Sequence, residues 1–295
     1  MCGITGFVGR GGESDLVRMV GSVRHRGPDD EGFYCRDGVG LGHARLSIID
    51  ISSAGHQPMW NANGAVGIVF NGEIYNFLEL KKTLVKSGYQ FVGNSDTEVI
   101  IALYERDGEK CFAQLEGMFA IALYDLKRKK LLLVRDRMGK KPLYFGIWNG
   151  TLVFGSEPKA LLLHPLVKKE INKIALNAYF ALDYIPTPLS IWKGMSKLEP
   201  GTLLAYEDGK IRKEQFWKPD FRETGMTVPE ALSELDRHME RAVSARLVSD
   251  VPLGIFLSGG LDSSLVAYYA ARLKRERGEK IHTFSIGFSE KNFDE

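Results

Sequence analysis

Short apolar runs bounded by glycines dominate the first two thirds of the chain. ITGFVG at 4–9, GFYCRD at 32–37, VGLGHARLSII at 39–49 and AVGIVFNG at 65–72 have the length and composition of strands. Two stretches break the rhythm. In NFLELKKTLVKSG at 76–88, Phe77, Leu80 and Leu84 recur at helical spacing, with Asn76 placed to cap the helix. DTEVIIALYERDG at 96–108 predicts a second helix, capped by Ser95 or Asp96. Strands then resume at 117–125, 130–136, 142–148 and 151–157. Strands outnumber helices and many neighbours are hairpin-like. The pattern predicts antiparallel sheets with flanking helices, an α+β block.

The segment 183–201 holds three prolines and two glycines and predicts a connector, and 203–217 predicts a closing hairpin. A polar linker at 218–227 follows the first domain at 2–217. The second block, 228–295, opens with a long amphipathic helix at 228–250. An apolar strand, a glycine-bearing turn and a helix occupy 251–276, and another strand is predicted at 281–288. Strand–helix–strand order predicts a parallel α/β sheet. About 70 residues are too few to complete such a domain, so 228–295 is expected to be its N-terminal part.

Composition narrows the classes. Hydrophobic residues make up 44% and charged residues 26% of the 295, with a net charge of +2. Such a balance fits a soluble globular protein and gives no support for nucleic acid or a membrane as partner. The basic run KRKK at 127–130 reads as a solvated turn. Three scattered cysteines, Cys2, Cys35 and Cys111, form neither a disulfide framework nor a zinc site. The histidines lack metal-ligand spacing, so no metal site is expected. With no signal peptide or long apolar span, a cytoplasmic location is the default expectation.

Two places carry candidate chemistry. Cys2 directly follows the initiator Met. If Met1 is removed, Cys2 bears a thiol and a free α-amine, a nucleophile and a base in one residue. Further along, SGGLDSS at 258–264 follows an apolar strand and opens a helix. Its glycines permit a tight turn, and helix N–H groups with serine hydroxyls make a phosphate or pyrophosphate site. The glycine spacing and missing lysine exclude a Walker A loop. Other groups are ambiguous alone: Arg45 reads equally as a surface charge, Asn71–Gly72 as a hairpin turn and Asp96 as a helix cap.

Taken together, HRGPD at 25–29, RLSIID at 45–50, NGEIYN at 71–76, RDRMGKKPLY at 135–144 and SGGLDSS resemble, in order, the glutamine-hydrolysing asparagine synthetase family. That family joins a class II, N-terminal-nucleophile glutamine amidotransferase domain to an ATP-pyrophosphatase-type synthetase domain. The resemblance implies an αββα sandwich followed by an incomplete adenine-nucleotide-hydrolase-like parallel sheet. It implies that Cys2 attacks the glutamine amide, with Asn71 and Gly72 as the oxyanion hole. Arg45 would pair with the α-carboxylate and Asp96 with the α-ammonium; Leu46, Ile48 and Glu73 would line the pocket. ATP, as its Mg²⁺ complex, would contact Leu257, Ser258, Gly259, Gly260, Asp262, Ser263, Ser264 and Ile286. No prosthetic group is implied. Ammonia released at Cys2 would amidate an aspartyl-adenylate, giving asparagine, glutamate, AMP and pyrophosphate. A homodimer is compatible with this reading. Met138, Lys140 and Pro158 depart from the family's usual residues. Two alternatives stay open: the same architecture amidating another carboxylate, as in polysaccharide biosynthesis, and a non-catalytic truncated product.

Overall fold

A computed structural model describes residues 1–287. Phe288, the end of the strand expected at 281–288, lies outside the described residues, as does the rest of the chain. The structure divides into two units, Met1–Pro219 and Asp220–Glu295.

In the first unit the strands are β1 (Gly3–Val8), β2 (Asp30–Arg36), β3 (Val39–Arg45), β4 (Met59–Trp60), β5 (Val66–Ile74), β6 (Gly117–Asp125), β7 (Lys130–Arg135), β8 (Tyr144–Trp148), β9 (Thr151–Gly155), β10 (Met195–Lys197), β11 (Thr202–Glu207) and β12 (Lys210–Gln215). Its helices are α1 (Glu13–Gly21), α2 (Phe77–Lys86), α3 (Asp96–Asp107), α4 (Pro158–Leu161) and α5 (Lys173–Leu182). The strands form two six-stranded sheets, ordered β10-β8-β9-β1-β3-β2 and β12-β11-β7-β6-β5-β4. Every pairing within these sheets is antiparallel.

Three apolar clusters fix the layers. Ile4, Val39 and Leu41 from the first sheet meet Val69, Ala120, Ala122 and Leu133 from the second. Phe7, Leu16, Met19 and Leu161 pack α1 and α4 on the first sheet's outer face. Ile68, Phe70, Phe119 and Ile121 pack with Val99, Ile100 and Leu103 of α3 on the outer face of the second. The order helix, sheet, sheet, helix is the αββα sandwich.

Several elements differ from the sequence-based expectation. The strand expected at 39–49 ends at Arg45. There the guanidinium turns onto the carbonyls of Asp50 and Ser52, and Ser47 N–H is drawn to Asp29 Oδ2 at 2.8 Å. Asn71–Gly72 is no hairpin turn; it lies within β5, paired with Ala120 and Phe119 of β6. Asn76 does not cap α2 through its side chain, which bridges Gln114 O and Glu116 N at 3.0 Å each. Ser95 does cap α3, accepting from Thr97 N–H at 3.1 Å. The KRKK turn joins β6 to β7, with Lys129 at a positive φ of 51°. Helices α1 and α5 come from sequence left unassigned above.

A single carboxylate organises the RDRMGKKPLY loop. Asp136, buried, accepts N–H bonds from Phe119, Met138, Lys140 and Lys141 at 2.9–3.1 Å. Arg135, also buried, donates to the carbonyls of Lys141, Leu198 and Gly139 at 2.6–2.8 Å. Backbone that would otherwise be unsatisfied at this end of the sandwich is thereby closed on two side chains.

The second unit holds α6 (Val228–Arg246), β13 (Gly254–Phe256), α7 (Leu261–Glu276) and β14 (His282–Phe284). The helix expected at 228–250 ends at Arg246, before the 249–252 turn. Strands β13 and β14 pair in parallel, and α7 connects them. The unit's core is small: Val243, Tyr269, Ala270 and Leu273, with Tyr269 Oη donating to Asp236 at 2.6 Å. Phe256 and Phe284 on the two-stranded sheet remain largely exposed.

Removing the Asp136 carboxylate leaves four N–H groups without their acceptor, two of them, those of Phe119 and Lys141, buried. Asp136→Ala is expected to destabilise the first unit by about 3 kcal/mol or more, and Asp136→Asn by less. All four tryptophans, at 60, 148, 192 and 217, lie in this unit, so fluorescence-monitored urea unfolding reads it selectively.

Candidate active site

The two-residue period of a strand decides which side chains meet. On β1, Ile4 faces the second sheet and Phe7 faces α1. Cys2, two residues before Ile4, shares the inward parity. On β3, Val39 and Leu41 face inward, so His43 and Arg45 do as well. On β5, Val69 faces the first sheet, and Asn71 and Glu73 follow it. The register Gly3↔Ala44 sets Cys2 beside Arg45. Five polar side chains thus converge at one end of the sandwich interior.

Four of them, Cys2, Arg45, Asn71 and Glu73, line a cavity of about 110 Å³ together with Met1, Leu46, Ile48, Gly72, Asp96 and Lys141. All eight of the expected first-unit residues (Cys2, Arg45, Leu46, Ile48, Asn71, Gly72, Glu73 and Asp96) therefore line one cavity. Cys2 Sγ lies 3.4 Å from Leu46 N and 3.6 Å from Leu46 O. Burial pushes the thiol up from its ordinary value, against the nearby α-amine and Arg45. The Cys2 carbonyl accepts from Arg26 Nε at 3.0 Å, and Arg26 Nη1 binds Glu157 at 2.8 Å. His25 and Lys159 also reach Glu157, and these hydrogen bonds outweigh burial to hold its carboxyl at about 2.

Asn71 is fully buried, and neither its amide oxygen nor its amide nitrogen has a partner. A buried amide with two open valences is costly unless a ligand completes it. Gly72 has no room for a side chain: a Cβ would stand 2.1 Å from Met118 O. Arg45 is aimed by two carbonyls of the 50–52 loop, and Gly55 packs against it so closely that a Cβ would meet Nη2 at 1.9 Å. Asp96, at the first turn of α3, accepts from Ile74 N–H at 2.9 Å. Burial first, then Glu73 nearby, pushes its carboxyl up to about 7, against the pull of the backbone N–H groups.

His43 reaches the Phe70 carbonyl at 3.1 Å and ties the two sheets together. Burial pulls its imidazole down to about 3, so it stays neutral. Gln57 and Lys141 are cavity-lining residues that the sequence reading missed. Gln57 Oε1 accepts from Phe70 N–H at 2.7 Å, and its Nε2 donates to Thr97. The available signal for Lys141 was its place in RDRMGKKPLY.

In the second unit, Leu257 follows β13 and donates its N–H to Phe284 O at 2.8 Å. Gly259 takes a φ of 87°, and Gly260 caps α7 without a side chain. Ser263 and Ser264 hydroxyls bond Gly260 O at 3.0 and 2.9 Å, and Ser258 Oγ meets Ser263 Oγ at 3.2 Å. Asp262 lies in the first helical turn, and Ile286 is exposed just beyond β14. The strand end, turn and open helix N-terminus form one exposed loop. Among the described residues no cluster of His, Cys, Asp or Glu could hold a metal, and no helix is long and apolar enough to cross a membrane.

Residues 1–217 match the family model described as a glutamine amidotransferase domain. The chain belongs to this glutamine amidotransferase family. Residues 234–295 match the asparagine synthase model. A putative glutamine-hydrolysing asparagine synthetase 2 of Methanocaldococcus jannaschii is 41% identical, covering 100% of this chain and 61% of its own length. Glutamine-hydrolysing asparagine synthetase 1 of Bacillus subtilis is 35% identical, over 100% and 47% respectively. Amidase chry2 of Gibberella zeae is 34% identical, over 94% and 44%. The chain spans about half the length of such relatives. The B. subtilis glutamine phosphoribosylpyrophosphate amidotransferase structure aligns with a TM-score of 0.54 at 20% identity, covering 100% of this chain and 68% of that one. This last likeness places the amidotransferase fold.

Asp96 gives the amidotransferase cavity a pH signature. Its raised folded value means the free protein loses stability as pH climbs from about 4 towards 7, because the folded state keeps the proton longer than the unfolded chain does. A ligand ammonium at Asp96 favours the carboxylate. Binding of a ligand that carries an ammonium at Asp96 is therefore expected to release up to one proton near pH 6, and to weaken below about pH 7. Calorimetry in buffers of different ionisation enthalpy measures the proton directly.

Proposed function

We propose that this chain carries the glutaminase unit and the opening strand–helix–strand of the synthetase unit of a glutamine-hydrolysing asparagine synthetase. The observation that carries the reading is the orphaned Asn71 amide, buried in the same cavity as the Cys2 thiol.

Once Met1 is gone, the α-amine of Cys2 takes the thiol proton while sulfur attacks the side-chain amide carbon of glutamine. The carbonyl oxygen becomes an oxyanion held by the Asn71 amide N–H and the Gly72 backbone N–H. The protonated amine returns its proton to the leaving nitrogen, ammonia departs, and water hydrolyses the thioester to glutamate. Arg45 matches the α-carboxylate as a planar cation, and Asp96 matches the α-ammonium. Leu46, Ile48 and Glu73 shape the remaining wall. A free amino acid needs one cation, one anion, a nucleophile and oxyanion donors, and this cavity assembles all four.

In the second unit, the loop Leu257–Ser264 suits ATP phosphates: a glycine turn opens onto the N-terminus of α7, where the free backbone N–H groups and the helix dipole favour an anion. Ile286 would contact the adenine or ribose. Mg²⁺ would arrive on the phosphates of ATP, and no prosthetic group enters this chemistry. ATP would activate aspartate as its acyl-adenylate, which ammonia converts to asparagine with release of AMP. The enzyme so read works in the cytoplasm, and a homodimer fits it. A second reading keeps the architecture and changes the carboxylate acceptor; the 34% identity to a relative named amidase chry2 favours keeping it open.

Intact mass and ammonia release on the purified chain test the first step. Loss of Met1, with glutaminase activity abolished by Cys2→Ala, is the expected result; processed protein without activity would reject the assignment. Asn71→Ala is expected to lower kcat about 10²–10³-fold with little change in KM.

A further inference from the structure

The cavity contains one charged group that the glutamine chemistry above leaves without a task. Lys141 is only 5% exposed and lines the cavity together with Cys2 and Glu73. Its backbone is clamped at both ends: its N–H bonds Asp136 Oδ2 at 2.9 Å, and its C=O accepts from Arg135 Nε at 2.8 Å. Its ammonium makes no hydrogen bond to any described residue; only through-space interactions reach it, from Glu73, Cys2, Arg26 and Asp136. A cation on so enclosed a side chain is costly to maintain. A loop stapled by two buried side chains holds it there nevertheless.

We propose that Lys141 is a positioning residue for the nucleophile: its ammonium drives one proton off the paired amine and thiol of Cys2. This inference rests on the terminal-nucleophile reading. The pair must shed one proton before sulfur can attack, so that one partner is a base and the other a nucleophile. Wherever that proton leaves from, a neighbouring cation makes the loss easier, and the two groups titrate as a unit. No bond to Lys141 forms or breaks. The charges facing the pair come from every side: Arg26 before β2, Arg45 on β3, Glu73 on β5, Asp96 on α3 and Lys141 on its loop. Arg45 is aimed at the loop carbonyls and Arg26 is committed to Cys2 O and Glu157. Among the described residues, Lys141 is the cation of the set that no side-chain hydrogen bond diverts. Before Met1 is removed, the Met1 amine beside this pair is lowered mainly by burial; Lys141 and Arg26 add to the effect, and Cys2 and Glu73 oppose it.

The test is the pH dependence of iodoacetamide alkylation at Cys2, read on the N-terminal peptide by mass spectrometry. It uses the processed full chain, beside the acidic limb of glutaminase kcat/KM. Lys141→Met is expected to raise both midpoints by about one pH unit, and Lys141→Arg to restore them. KM for glutamine and the rate on the alkaline plateau should change less than twofold. Glu73→Gln is expected to lower the alkylation midpoint, and it reads the same field if Lys141→Met fails to fold. Unmoved midpoints in Lys141→Met, or Lys141→Arg behaving as Lys141→Met, would overturn the proposal; with Lys141→Met unfolded, an unmoved Glu73→Gln midpoint would do so. A shifted alkylation profile in a chain that releases no ammonia would reject the glutaminase reading and leave the Lys141 field standing.

Discussion

The strand register of β1 against β3 is the constraint on which the candidate site depends. Side chains alternate along a strand, so a slip of one residue would turn Cys2 towards α1 and Ile4 out of the core between the sheets. The apolar residues prevent this. Ile4, Val39, Leu41 and Val69 have to face one another across the sandwich, and Phe7 has to face Leu16 and Met19. The polar residues at the ends of these strands inherit the parity that the apolar ones impose. Hydrophobic burial thus sets the orientation of a thiol, a guanidinium and an amide that contribute little to it themselves.

Around that frame, buried polar groups divide into those already satisfied and those left open. Asp136 and Arg135 are saturated by backbone partners and act as structural ties. His43 is held neutral and joins the sheets through one nitrogen. Asn71 is open at both amide atoms, and it lines the cavity together with Lys141. Native interiors rarely tolerate such groups without a use for them.

Much of this was legible in the sequence. Strands such as GMFAIALYD carry the periodicity and length of buried β structure, and β6 occupies the same nine residues. The site residues were legible as motifs but not as geometry: nothing local distinguishes Arg45 on an inner face from a surface charge. Where prediction failed, side-chain contacts to the backbone had overridden the local pattern. The LSII segment looks like strand, yet Arg45 gathers the following carbonyls and ends the ladder. Asn76 looks like a cap, yet its amide is taken by Gln114 and Glu116. Helix α1 hides behind flanking glycines although Leu16, Met19, Val20 and Val23 carry a helical spacing. Helix α5 hides because Ile174, Tyr179, Phe180 and Leu182 make it apolar on exposed positions too.

Met1 lines the cavity, and Cys2 leads directly into a strand flanked on both sides by neighbours from distant sequence. One neighbour, β3, follows within the first fifty residues, while the other, β9, comes only at Thr151–Gly155. During synthesis the terminus therefore stays open until both have left the ribosome, roughly 10–30 s at ordinary elongation rates. Excision of the initiator on the proposed reading belongs to that interval, before β1 is enclosed. Maturation of the nucleophile would then be timed by chain topology: the sheet's own connectivity works as a clock that keeps the terminus accessible while it is processed and closes over it afterwards.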